Sequence, residues 1–165
     1  MNIAGKSIGE YISAMKKTLI IVVVLQLINF VISLIGTIGG KLPVIGAIAG
    51  LLAGIVGLLV SLAIGLIELA LCVYVGYNLA KKLKGTLVQG AIAGAIFGLI
   101  TGVIGAVLGA INSILNAIFG FNAMAAAISI VVIIITLVAT PIVGAIVGAI
   151  LGAIGAIVGG GTGKK

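Results

Sequence analysis

The sequence predicts an all-α integral membrane protein: a glycine-zipper helix bundle, most simply of four transmembrane spans. Three observations predict it. Hydrophobic residues make up 63% of the chain and its mean hydropathy is +1.56, far above a soluble domain of this size. The lysines gather at the ends of apolar stretches long enough to cross a bilayer. Glycines recur in these stretches at steps of four and three, which keeps one helical face bare.

The length leaves room for one compact membrane domain and no separate soluble one. The expected division is an amphipathic N-terminal segment, 1–17, followed by a single multi-pass domain, 18–165. In the first segment Ser7 and Glu10 make a capping box, and Ile8, Tyr11, Ile12, Met15 and Leu19 share a face. That segment reads equally as an interfacial helix lying on the membrane or as extra turns of the first span. A signal peptide does not fit, because the apolar run is a full span and no small-x-small cleavage pattern follows it.

The first span is expected from about Thr18 to Ile38. Gln26, Asn29, Ser33 and Thr37 fall at helical steps along it and form one polar stripe, which should face other helices rather than lipid. Gly39, Gly40, Lys41 and Pro43 then read as a turn. From Pro43 to Ala80 no polar break occurs. One continuous helix would be roughly 55 Å long, so it must tilt, bend or double back; a single long helix is the preferred reading.

The stretch Lys81 to Gln89 is the strongest punctuation in the chain. Lys81, Lys82 and Lys84 suit a helix C-terminus, Gly85 is the expected left-handed residue, and Thr86 with Gln89 forms the next capping box. A third span follows from Leu87 to about Ile111, and 112–122, with Asn112, Asn116 and Asn122, reads as a second external loop. The last apolar stretch, Ala123 to Val158, contains Thr140-Pro141, which permits a kink or a short turn. The tail, Gly159 to Lys165, reads as flexible and basic.

Topology follows from the lysines. The N-terminal set, the 81–89 corner and the C-terminal pair should share the cytoplasmic side, so the crossings between them are even in number. Four spans, N-in and C-in, is the simplest count, and six would satisfy the same rule. A cell membrane is the expected location. The net charge of +7 is then topology marking and contact with anionic lipid headgroups. The interleaved basic and aromatic pattern of a nucleic-acid site is missing, so no nucleic-acid partner is expected.

Three glycine ladders stand out: Gly46, Gly50, Gly54 and Gly57; Gly90, Gly94, Gly98, Gly102, Gly105 and Gly109; and Gly144, Gly148, Gly152, Gly155 and Gly159. Bare faces of this kind let backbones approach closely, and the eleven-residue four-four-three step favours right-handed crossings. The helix-packing residues expected are Gly46, Gly50, Gly54, Gly57, Gly94, Gly98, Gly102, Gly144, Gly148 and Gly152. The stretch beginning Pro43-Val-Ile-Gly is repeated at Pro141-Ile-Val-Gly, with Pro and four glycines in register. The ladders resemble glycine-zipper membrane proteins in general, a packing resemblance that implies no activity.

The chain has no histidine, aspartate or arginine, which removes the usual general bases, most metal-site patterns and most phosphate clamps. No enzyme, cofactor or metal is expected. Cys72 is the only cysteine, so no intramolecular disulfide can form. Gly159 to Lys165 resembles a phosphate loop only superficially, since no helix follows. The one residue to single out is Glu68. It lies about 20 Å along a helix before Lys81, near mid-membrane. Asn29, Thr101 and Gln26 fall at similar depth and form with it a candidate polar layer, which Thr136 could join.

A mid-membrane carboxyl suggests a proton- or cation-linked path. The plainer reading is a protonated Glu68 hydrogen-bonded to Asn29 or a threonine as helix glue. The sequence therefore points first to a non-enzymatic, self-associating or structural membrane component. A small channel or transporter built around Glu68 comes second, and a membrane-active pore-forming protein third.

Overall fold

The structure is a computed structural model that describes residues 2–39, 46–120 and 123–161. Two short strands, β1 (Asn2–Ile3) and β2 (Lys6–Ser7), pair antiparallel. Four long helices follow: α1 (Ile8–Gly39), α2 (Gly46–Leu83), α3 (Leu87–Gly120) and α4 (Ala123–Val158). All four are long and apolar enough to cross a membrane. Among the described residues each long apolar stretch runs as a single helix without doubling back. Pro141 lies inside α4 without ending it.

The hairpin was not legible in the sequence. Its two-residue loop, Ala4-Gly5, holds both residues at positive φ, 51° and 81°, as the tightest hairpin turns require. The Tyr11 hydroxyl donates to the Ile3 carbonyl at 3.0 Å, and Gln89 Nε2 donates to the Ala4 carbonyl at 2.7 Å, which pins the hairpin to α1 and α3. The capping box forms as expected: Ser7 N–H donates to Glu10 Oε2 at 2.6 Å and Glu10 N–H to Ser7 Oγ at 3.2 Å. From there α1 runs unbroken past Lys16 and Lys17.

At the 81–89 corner the second capping box also forms, with Thr86 N–H donating to Gln89 Oε1 at 3.1 Å and Gln89 N–H to Thr86 Oγ1 at 3.3 Å. The left-handed residue is Lys84, at φ 47°, and not Gly85. Glycine is required at 85 for room: a Cβ there would stand 3.0 Å from the Leu79 carbonyl oxygen and 3.2 Å from Gln89 Oε1. The Gly85 N–H closes the end of α2 by donating to that same carbonyl.

Two expectations about helix ends need correction. Helix α3 continues through Asn112 and Asn116 to Gly120, because no glycine or proline interrupts 112–119. The tail begins with a defined turn through Gly161. Gly160, at φ 87°, donates to the Ile157 carbonyl and Gly161 N–H donates to the Ala156 carbonyl, a Schellman end to α4. Lys164 and Lys165, like Lys41 and Pro43, lie outside the described residues.

The helices meet most closely at one end. The core gathers Tyr11, Met15 and Val22 of α1, Cys72, Val75 and Leu79 of α2, and Ala93 and Phe97 of α3. Helices α3 and α4 run antiparallel with glycines opposed. A Cβ at Gly94 would collide with the Gly148 carbonyl, one at Gly98 with the Gly144 carbonyl, and one at Gly152 would stand 2.8 Å from Gly94 Cα. At Gly102 it would meet Pro141 Cα at 2.8 Å. Helix α2 packs against the same end of α4, where a Cβ at Gly76 would collide with the Gly152 carbonyl and one at Gly155 with that of Val73.

The N-terminal hairpin, the 84–86 corner and Gly161 lie together at this end, with a Cβ at Gly161 only 2.9 Å from the Gly85 carbonyl oxygen. Elsewhere Ile, Leu and Val point outward, Leu66 and Val158 at 69% exposure each, the surface expected of helices facing lipid.

Away from that end the helices separate. A Cβ at Gly54, Gly57, Gly65 or Gly109 would find nothing within 4 Å. Gly54 and Gly57 were expected to pack and do not, because no neighbouring element comes near α2 at those positions. The surroundings of Gly46 and Gly50 lie outside the described residues.

Candidate functional site: a polar cleft ending at Glu68

The separation of the helices opens a cleft, and the polar stripe of α1 faces it. Taken from the tight end outward, Gln26 comes first. Its Nε2 donates to Glu68 Oε1 at 2.9 Å and to the Thr101 carbonyl at 3.2 Å, tying α1 to α2 and α3. Next, Ser61 Oγ donates to Asn29 Oδ1 at 3.0 Å. One turn further, Asn112 Nδ2 donates to Ser33 Oγ at 2.8 Å, and Thr37 Oγ1 donates to the Ser33 carbonyl at 3.0 Å. The stripe thus faces protein, which removes the cost of setting amides and hydroxyls against hydrocarbon.

Two cavities make up the cleft. The inner one, about 270 Å³, is walled by Gln26, Asn29, Ser33, Ser61, Glu68 and Asn112 together with small and apolar side chains. The outer one, about 410 Å³, shares Asn29, Ser33 and Ser61 with it and adds Thr37, Gly54, Gly57 and Asn116. The bare glycines of α2 therefore form a wall of open space. From Gln26 to Thr37 the lined path is about 16 Å long at the helical rise.

Glu68 closes the inner cavity and also borders space on its other side. A cavity of about 420 Å³ between α2, α3 and α4 is walled by Glu68, Cys72, Thr101 and Gly148. Another, of about 430 Å³, is walled by Gln26, Glu68, Thr101 and Thr140. The pair Gln26–Glu68 is the partition between the cleft and these cavities.

The four residues of the candidate layer each border at least one of these cavities, with different partners from those expected. Glu68 pairs with Gln26 and not with Asn29, which bonds Ser61. Thr101 contributes its backbone carbonyl, while its hydroxyl donates to the Gly98 carbonyl at 3.2 Å. On α4 it is Thr140, and not Thr136, that borders Glu68's surroundings. Sequence reasoning missed Asn112 by assigning it to a loop. The signal was present, since Asn112 and Asn116 stand one helical turn apart.

One atom is left over. Gln26 Oε1 is buried and accepts no hydrogen bond. Both Nε2 protons are used, one toward the Thr101 carbonyl, so reversing the amide would set two oxygens against each other. A buried acceptor beside space of this size is a place for water or another donor. The electrostatics are simple: Glu68 is the one charged residue bordering any of these four cavities among the described residues. No cluster of histidine, cysteine or carboxylate suited to a metal occurs among them.

No protein-family model matches the chain, and neither curated proteins nor solved structures yield a match. The functional reading therefore rests on the geometry.

Proposed function

We propose that this chain is a small, non-enzymatic channel or carrier component, in which a glycine zipper locks the helices at one end and a polar cleft leads from the other end to Glu68. The observation that carries the reading is the cleft: amides and hydroxyls from three helices converge on one mid-helix carboxylate, with open volume between them. Polar residues placed only to tie helices would close upon each other and leave little space. The expected solute is small and either cationic or neutral, because the one acidic group on the cleft wall is a carboxyl, no basic group lines it among the described residues, and the rest of the wall supplies hydroxyls and amides.

The four helices are proposed as four spans, with the lysine-rich end cytoplasmic and in contact with anionic headgroups, in a cell membrane. The 1–17 segment would then lie at the cytoplasmic surface. Purified protein in sealed vesicles tests the reading: a cation or proton gradient should dissipate faster than in protein-free vesicles, and Glu68→Gln should abolish the difference. Equal rates with and without protein would refute it.

A second reading, a self-associating structural component, is favoured by the empty space beside Gly54 and Gly57. A helix of another copy could lie there. Cross-linking through Gly57→Cys between copies, with no flux, would select it.

A further inference from the structure

We propose that Glu68 is an exchangeable proton site, reached by water through the cleft and held at the partition by Gln26. The inference rests on the cleft reading above and names what the cleft delivers.

Three observations carry it. Glu68 borders cavities on both sides of the Gln26 amide, so one carboxyl is in reach of two separate spaces. Its hydrogen bonding is one-sided: Oε1 accepts from Gln26 Nε2 at 2.9 Å, and among the described residues the other oxygen has no partner. A proton can therefore join or leave that second oxygen without breaking the link to α1. Finally, Gln26 Oε1 is a buried acceptor without a donor, at a place where a water serving the carboxyl would be held.

The neighbours leave the proton to Glu68 alone. Gln26 on α1, Thr101 on α3 and Thr140 on α4 do not titrate in the accessible range. On α2 itself, Cys72, one turn away, is the only other ionisable group bordering the same space among the described residues. Among the described residues no lysine lines any of these four cavities. A metal cation is the less favoured occupant, since it needs several oxygens arranged around one point, and the carboxylate has a single partner.

Carbodiimide chemistry reads this directly. A protonated carboxyl adds across the N=C bond of dicyclohexylcarbodiimide: its proton goes to one nitrogen and its oxygen to the central carbon. The O-acylisourea then rearranges by oxygen-to-nitrogen acyl shift to a stable N-acylurea, with no atom lost. The full chain in vesicles, treated with this apolar reagent, should carry one adduct on the Glu68 peptide, and Glu68→Gln should carry none there. The labelling rate should rise about tenfold for each pH unit of fall wherever Glu68 is mainly ionised, since the protonated fraction does so.

Gly65→Leu provides a second variant. Gly65 borders the inner cavity and a Cβ there meets nothing within 4 Å, so the fold is kept while the cavity fills. Labelling should slow several-fold. Absence of a Glu68 adduct, a rate indifferent to pH and to Gly65→Leu, or protection by sodium ion at constant pH would each overturn the assignment, the last in favour of a cation site. Labelling as described without any flux would leave the proton site standing and remove the transport reading instead.

Discussion

Replacing Gly94 by alanine should destabilise the bundle, whereas the same change at Gly57 should not. A Cβ at Gly94 would collide with the Gly148 carbonyl and stand 2.8 Å from Gly152 Cα. Non-bonded carbon atoms prefer about 3.5–4.0 Å. The obstructing atoms are backbone, which no rotamer change can move, so α3 and α4 must part by about 1 Å. Overpacking of this kind costs about 1–3 kcal/mol. At Gly57 the methyl enters open space, and the only effect is the better helix propensity of alanine, at most about 1 kcal/mol in its favour.

The two variants should therefore differ by about 2 kcal/mol, roughly a thirtyfold difference in the folding equilibrium. Denaturing-detergent titration in mixed micelles, followed by helix content and by cross-linking between α3 and α4, measures it. Equal midpoints for Gly94→Ala and Gly57→Ala would refute the claim that Gly94 sits in backbone contact with α4 while Gly57 faces open space.

Other consequences concern the polar groups. Gln26→Leu should sever the link of α1 to both α2 and α3 and leave Glu68 without its partner, at a cost of about 1–3 kcal/mol in the same titration. Thr86→Ala should cost about 1 kcal/mol by removing the cap of α3. Glu10 lies beyond Lys16 and Lys17, outside the apolar run, and the Ser7 amide and hydroxyl hold its carboxyl below the usual carboxylate range. Its cap should therefore be intact at neutral pH and be lost only as pH falls below the usual carboxylate range. Protection of the Ser7 amide, its exchange measured against the unprotected chemical rate, should fall there, and Glu10→Gln should flatten that change.

Much of the architecture was legible because its signals are local. Capping boxes depend on residues three apart, so Ser7–Glu10 and Thr86–Gln89 could be read directly. The stripe Gln26-Asn29-Ser33-Thr37 declared itself by period and by the cost of facing lipid. What failed depended on space. Gly85 and the α2 glycines looked alike in sequence, yet one is crowded by the Leu79 carbonyl and Gly54 and Gly57 meet nothing. Whether a bare face finds a partner is decided by where its helix lies. Asn112 was lost for a related reason: asparagine marks loops in water, but among helices in a membrane it can pair across a cleft, as it does with Ser33. The partners of Glu68 depended on the relative register of α1 and α2, which spacing within either helix does not contain.

The most direct test of the account is access to the cleft from solution. On a Cys72→Ser background, cysteines at Ser33, Ser61 and Leu66 should be challenged in vesicles with a charged, membrane-impermeant thiol reagent. Ser33→Cys and Ser61→Cys should react from the side opposite the lysine-rich end, and Leu66→Cys, which faces outward from α2, should not. Protection of Ser33→Cys and Ser61→Cys from both sides would mean that the space leading to Glu68 is closed to water, and the cleft would then be a packing feature without a path.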